Sequence, residues 1–258
     1  MAMTRISERF SIAGKKALIT GASKGIGAEI CRVFAEAGAD IVAVARDREG
    51  LAQISAEVTA IGSKCLAIEA DLSTTEGPVE AAQQALREWH VIDILVNSAG
   101  VALTAPALNL TVEDWDTTMA VNLRAPFLLS QALAPAMIEQ RWGKIINISS
   151  QTGVIALDDH AAYASSKGGL NALTKSLCVE WAKYNIQVNA ICPTVILTPM
   201  GRKIWGPKEK SDPMIKATPL RRFGEPVEIA DMALYLASPA SELVNGAIMM
   251  IEGGYTSL

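Results

Sequence analysis

The stretch Asp158–Lys175, DDHAAYASSKGGLNALTK, sets Tyr163 and Lys167 four positions apart among small residues, with His160 three positions before the tyrosine. Four residues is just over one helical turn, so in a helix the phenol and the ammonium project from one face and can meet over a single small molecule. A phenol of ordinary pKa, about 10, exchanges protons slowly at neutral pH, and a cation beside it favours the phenolate and lowers that value. The pair therefore offers proton transfer to an oxygen that is gaining negative charge. An exposed amphipathic turn carries the same spacing, so the pair takes its meaning from its surroundings.

A second group of residues suits a phosphate. TGASKGIGAEI places Gly21, Gly25 and Gly27 directly after an apolar run and at the opening of a helical pattern. In that context a glycine triplet reads as a dinucleotide fingerprint, because glycines let the backbone approach a pyrophosphate whose charge is stabilised by the free N–H groups of a helix start. NAD-preferring sites place an acidic residue about 20 positions further on, to bind both ribose hydroxyls. Here VAVARD offers Ala45 and then Arg46, and no carboxylate repels a 2′-phosphate. Arg46 can pair with that phosphate in a forked geometry, with Lys24 adding charge from the glycine loop. This favours NADP(H). NAD(H) stays possible if Arg46 and Lys24 are solvated surface cations and Asp47 bends back to the ribose.

These residues need a scaffold. KKALIT, DIVAVA, CLAIEA, DILVNSAG, KIINIS, IQVNAIC and AIMMIEGG are short apolar runs, the earlier ones followed by segments of helical periodicity. Runs apolar on both faces belong in a parallel sheet covered on each side, which predicts an α/β Rossmann-type doubly wound parallel sheet of about seven strands. AEICRVFAEAGA, EGLAQISAEVTAIG and GPVEAAQQALREW read as helices, two of them closed by Gly38 and Gly62. No linker or repeat divides the 258 residues, so one domain over residues 1–258 is expected. Its cofactor half would cover roughly 14–100 and its catalytic and substrate half roughly 101–258, with the proline-rich, irregular stretch from Pro193 to Pro226 acting as a lid over roughly 194–225.

Half the residues are hydrophobic and the net charge is −4. Neither feature suggests a nucleic-acid footprint or a basic membrane-binding face. MAMTRISERFSIAGKK lacks the apolar core of a signal peptide, and no apolar run spans a bilayer, so a cytoplasmic location is expected. Cys31, Cys65, Cys178 and Cys192 are widely scattered, with no C-x-x-C pair, and only two histidines could join them. They predict neither a disulfide nor a metal site, and three of the four sit in settings that suit buried thiols. His90 lies beyond any motif.

The glycine loop, NSAG (Asn97–Gly100), VNLRAPF (Val121–Phe127), INISS (Ile146–Ser150) and Tyr163-x-x-x-Lys167 stand in the order of the short-chain dehydrogenase/reductase family, which the chain resembles over nearly its whole length. The resemblance implies hydride transfer between a nicotinamide cofactor and a carbonyl carbon, with Asn122, Ser150, Tyr163 and Lys167 as the catalytic set. Ser150, not Ser149, has the family's spacing to the tyrosine. On that reading Tyr163 is the acid, Lys167 tunes it and holds the nicotinamide ribose, Ser150 orients the carbonyl, and Asn122 holds a water linking Lys167 to solvent. Ser150 could also serve as a turn cap, and Asn122, a poor helix former, as a buried amide. The implied cofactor wall comprises Gly21, Ser23, Lys24, Gly25, Ile26 and Gly27 of the loop, Arg46, Asp71 at the adenine and its neighbour Leu72. It continues with Asn97, Ala99 and Gly100 at the ribose, with Tyr163 and Lys167, and with Pro193, Ile196 and Thr198 towards the carboxamide. Two positions depart from the family pattern: Ser98 in NSAG and Thr194 after Pro193. The family also implies a homotetramer.

VNLRA, NISSQ, His160 and PTVILTPMG followed by Trp205 resemble the L-xylulose (dicarbonyl) reductases, while ILVNSAG and the GGYTSL tail are similar to bacterial polyol dehydrogenases. Both branches imply a small polyhydroxylated or dicarbonyl substrate, with Ser150, Gln151, His160, Tyr163, Thr194 and Trp205 as its contacts and Met200 as a further wall. Ordinary surface or packing roles stay open for Gln151, His160 and Met200. Oxoacyl-carrier-protein reductases share the core motifs. An acidic carrier would call for a basic cluster at the mouth, for which Arg124, Arg221 and Arg222 are candidates. A nucleotide-binding protein without catalysis is the non-enzymatic alternative, and the four filled catalytic positions argue against it.

Overall fold

Successive residues of a strand face opposite ways, and in this sheet both faces are apolar. In β1 (Lys16–Thr20), Ala17 and Ile19 enter one buried cluster and Leu18 the other. In β2 (Asp40–Ala45), Ile41 and Ala43 again part company with Val42 and Val44. The computed structural model describes residues 5–257. Met1–Thr4, the start of the stretch read for a leader, and Leu258, the end of the GGYTSL tail, lie outside the described residues.

The remaining strands are β3 (Cys65–Glu69), β4 (Ile94–Asn97), β5 (Gly143–Ile148), β6 (Ile186–Pro193) and β7 (Ile248–Ile251). They form one sheet in the order β3-β2-β1-β4-β5-β6-β7, with every pairing parallel. This is the doubly wound seven-stranded sheet that the apolar runs predict. Strand order reverses between β1 and β4, and such a switch point opens a crevice beyond the carboxyl ends of the strands.

Helices α1 (Ile6–Arg9), α2 (Gly25–Glu36), α3 (Arg48–Ile61), α4 (Glu76–Trp89), α5 (Val112–Met119), α6 (Ala125–Gln140) and α7 (Ala161–Trp181) occupy the first two thirds of the chain. Apolar side chains of α2 and α3 cover one face of the sheet, and those of α4, α6 and α7 the other. Gly38 and Gly62 follow α2 and α3 with φ of +91° and +109°, the left-handed closure that a side chain resists. The stretch from Pro193 to Pro226 is not irregular as expected: it holds α8 (Pro199–Trp205) and α9 (Lys208–Ala217), and α10 (Pro226–Ala237) follows. Pro199 and Pro226 occupy first-turn positions, where a missing N–H costs nothing. Gly224 closes the base of this excursion, accepting from Leu197 N–H at 2.8 Å and donating to the Val195 carbonyl at 3.0 Å. The four cysteines are free, Cys31 and Cys192 buried and Cys65 and Cys178 half-buried, so two rather than three are buried thiols. No helix among the described residues is long and apolar enough to cross a membrane.

Candidate active site

The crevice at the switch point is a cleft of about 570 Å³. Its walls come from the glycine loop, the ends of β2 through β6 and helix α8, and they include Ser150, Tyr163 and Lys167. That volume suits a small-molecule site.

The glycine loop is built by close approach. A Cβ at Gly27 would stand 2.4 Å from the Gly21 carbonyl oxygen, and one at Gly21 would stand 3.0 Å from the backbone of Ala99. Thr20 ties the two sides of the crevice, its hydroxyl accepting the N–H groups of Ser98 and Ala99 at 3.0 Å each. Lys24 begins α2 without any side-chain cap, so the first N–H groups of the helix face the cleft uncapped. A backbone cradle with an uncapped helix start fits a dinucleotide pyrophosphate.

Tyr163 and Lys167 lie on one face of α7, as their spacing requires. Lys167 is buried, with Nζ 5.7 Å from the Tyr163 ring centroid, and donates to the Ile148 carbonyl at 2.7 Å. Burial brings the ammonium down to about 8, with Cys192 opposing. Burial also raises the Tyr163 hydroxyl above its ordinary value, while the neighbouring Ser150 hydroxyl works the other way. The Lys167 ammonium is engaged by a strand carbonyl, burial works against the phenolate, and the Ser150 hydroxyl works for it.

Ser150 begins a 3₁₀ turn, Gln151–Gly153, and its Oγ accepts from Thr152 N–H at 3.2 Å and from the Thr152 hydroxyl at 2.9 Å. It is a turn cap and a cleft residue at once. Ser149 points elsewhere, donating to the Lys167 carbonyl at 3.2 Å.

Asn122 lies in a π-helical turn, Ala120–Arg124, between α5 and α6, a local distortion of the kind such a poor helix former invites. Its Oδ1 accepts from Val101 N–H at 2.9 Å, and its Nδ2 donates to the Val101 carbonyl at 2.9 Å and to Ser166 Oγ at 3.1 Å. Ser166 passes the link on to the Tyr163 carbonyl at 2.7 Å. Both amide protons are thus committed to protein, and the side chain stands behind the cleft wall. It steadies Val101 and α7 through these bonds.

Most of the other expected residues line the same cleft: Ser23, Lys24, Gly25, Ile26, Arg46, Asp71, Leu72, Gly100, Pro193, Ile196 and Thr198 around the nucleotide wall, with Gln151, His160, Thr194, Met200 and Trp205 further in. Asn97 does not. Parallel register sets it beside Asn147, to which its Nδ2 donates at 2.8 Å, and its Oδ1 is buried without a partner among the described residues. Gln151 Oε1 and Thr194 Oγ1 are likewise buried and unpartnered, so these two atoms do not face open space. The His160 ring meets Tyr163 edge-on, 6.0 Å between centroids. Asp47 caps α3 by accepting Gly50 N–H at 3.1 Å, which draws it away from the ribose role left open for it. Arg46 is largely exposed, 3.8 Å from the Asp71 carboxylate. Hydrogen bonds from Ser73 hold that carboxylate below its usual range, with Arg46 adding to the effect. Arg222 forks onto Glu228, and Arg124 donates one N–H to the Ser73 carbonyl. Thr20 and Thr152 escaped the sequence reading. Thr20 does precede the glycine loop, but only pairing of β1 with β4 reveals its partners.

A parallel doubly wound sheet with a phosphate cradle and a Ser-Tyr-Lys cluster at its switch point defines a nucleotide-dependent oxidoreductase. A family profile described as Enoyl-(Acyl carrier protein) reductase matches residues 21–256. The chain belongs to the short-chain dehydrogenase/reductase family. It is 43% identical to a NAD-dependent glycerol dehydrogenase of Listeria innocua, over 96% of each chain. An L-xylulose reductase of Mus musculus is 40% identical, covering 95% of this chain and 97% of its own. Among solved structures, a gluconate 5-dehydrogenase from Burkholderia cenocepacia in complex with NADP and tartrate superposes with a TM-score of 0.94 at 37% identity, over 98% of this chain and all of that one.

Proposed function

We propose that the protein interconverts a small polyhydroxylated ketone, or a dicarbonyl, with its secondary alcohol, using NADP(H). The observation that carries this reading is the convergence of Ser150, Tyr163 and Lys167 on the cleft that holds the glycine cradle. When bound, the nicotinamide supplies or accepts the hydride. Ser150 donates a hydrogen bond to the reacting oxygen and holds it within reach of the Tyr163 hydroxyl. Tyr163 gives its proton to that oxygen in reduction and takes it back in oxidation. Lys167, fixed by the Ile148 carbonyl, presents its remaining N–H groups to the cleft, where they suit ribose hydroxyls.

Arg46 supports NADP(H), because a forked cation at the end of β2 matches a 2′-phosphate and Asp47 is engaged as a helix cap. The NAD dependence of the Listeria innocua glycerol dehydrogenase keeps NAD(H) as the competing cofactor. Asp71 and Leu72 would border the adenine, and Pro193, Ile196 and Thr198 the carboxamide. His160 and Trp205, with Gln151 and Thr194 behind them, would meet the substrate. The sugar and polyol relatives favour hydroxyl-rich substrates over a carrier-bound acyl chain, in keeping with the pairing of Arg222 to Glu228. A cytoplasmic homotetramer completes the proposal.

The test is oxidation of NADPH and NADH with L-xylulose, diacetyl and an acetoacetyl thioester, with Tyr163→Phe as control. Turnover of L-xylulose or diacetyl with NADPH is expected. Activity confined to the thioester would overturn the substrate class, and equal use of both nucleotides the cofactor preference.

A further inference from the structure

We propose that Thr152 is a positioning residue that fixes the Ser150 hydroxyl as a hydrogen-bond donor towards the reacting oxygen, an inference that rests on the role given to Ser150 above. A serine hydroxyl has one proton and two lone pairs. Here the Ser150 oxygen accepts from Thr152 twice, from its N–H at 3.2 Å and from its hydroxyl at 2.9 Å. The backbone N–H can only donate, which fixes the first of these bonds. With both lone pairs engaged from one side, the polar capacity left to Ser150 is its own proton, and that proton must point away from Thr152.

The opposite arrangement, with Ser150 donating to Thr152, leaves the Thr152 proton in trouble. Thr152 is buried, and its hydroxyl donates to no other group among the described residues. A buried donor without an acceptor is costly, so the network settles with Thr152 donating.

The turn that carries both residues is clamped. Asn171, one helical turn beyond Lys167, donates to the Gly153 carbonyl at 3.2 Å. Gly153 lies so close to α7 that a Cβ there would stand 2.7 Å from Asn171 Nδ2 and 2.9 Å from the Lys167 carbonyl oxygen. The Ser150 proton is therefore aimed relative to the helix that carries Tyr163. Its effect on the phenol points the same way, since the Ser150 hydroxyl acts to lower Tyr163.

The experiment is a double-mutant cycle with NADPH and diacetyl, comparing the parent, Thr152→Val, Thr152→Ser, Ser150→Ala and Ser150→Ala/Thr152→Val. Valine keeps the shape of threonine and removes its hydroxyl. Thr152→Val is expected to lower kcat about five- to tenfold, the effect of one lost orienting hydrogen bond, with KM for NADPH unchanged. The basic limb of its pH profile should move upward as the phenol loses the help of Ser150. Thr152→Ser should restore both, and Thr152→Val should add nothing once Ser150 is alanine. A Thr152→Val enzyme whose kcat stays within about twofold of the parent, or rises, overturns the inference while Ser150→Ala remains impaired. Parent-like activity in Ser150→Ala would instead overturn the underlying reading of Ser150.

Discussion

Lys167 Nζ donates to the carbonyl oxygen of Ile148 at 2.7 Å, fastening the second turn of α7 to the carboxyl end of β5. One ammonium thereby joins the helix that bears the acid to the strand that leads into Ser150. Lys167→Met should lower kcat/KM by about 10²- to 10³-fold. Lys167→Arg should rescue little, because a planar guanidinium cannot reproduce a point donor in a buried slot. Tyr163→Phe should lose about 10²- to 10⁴-fold in kcat while still binding NADPH. Steady-state kinetics with nucleotide titration by fluorescence separates these effects. A fully active Tyr163→Phe protein would remove the phenol from the chemistry.

Lys144, at the opposite end of β5, is a buried lysine whose Nζ donates to Ser241 Oγ at 3.2 Å. Burial brings it down to about 8 from an ordinary 10.5, with Glu242 opposing. Between those values the unfolded chain holds a proton that the folded chain has released, so this group makes stability rise with pH across that window. Below it the folded state bears the cost of a buried charge. Lys144→Met should therefore stabilise the protein by about 1–3 kcal/mol at neutral pH, the advantage shrinking to nothing near pH 10.5. Urea midpoints of the two proteins across that range decide it, and a constant difference would rule out titration as the cause.

Arg46 stands at the end of β2 with Asp71 3.8 Å away. Replacing it by aspartate removes the cation and adds repulsion. Arg46→Asp should weaken NADPH on the order of tenfold to a hundredfold relative to NADH, as loss of a charge-assisted hydrogen bond implies. Ratios of kcat/KM for the two nucleotides give the answer. An unaltered ratio would show that the 2′-phosphate lies elsewhere.

Gly27→Ala forces a methyl group to within 2.4 Å of the Gly21 carbonyl unless the backbone moves. Opening the loop should cost about 1–3 kcal/mol of stability and a larger share of nucleotide affinity, because the cradle itself is displaced. Calorimetry of unfolding alongside NADPH titration tests both parts. Undiminished binding would mean that the loop does not touch the cofactor.

The strands and the glycine loop were legible in the sequence because each rests on local pattern: apolar runs, glycines and left-handed helix closures. Helical spacing put Tyr163 and Lys167 on one face, and the order of the surrounding motifs gave the pair its meaning. Asn97 was misplaced because its direction depends on register with Asn147, a partner fifty residues away. Spacing places Lys167 beside Tyr163 but does not reveal that the Ile148 carbonyl engages its ammonium. Helices α8 and α9 were hidden because prolines that begin helices look in sequence like prolines that break them. Thr152 was invisible because its meaning lies in a three-residue turn whose shape only the packing against α7 fixes.

His90, Arg141 and Asn185 adopt φ near +60°, each rounding an exposed corner just ahead of β4, β5 or β6. Those corners sit on the rim remote from the nucleotide crevice, since every strand runs the same way. A fluorophore, a surface anchor or a fused module attached there would hang from the back of the molecule, leaving the reactive mouth clear. For an engineer, the parallel sheet has already separated the handle from the blade.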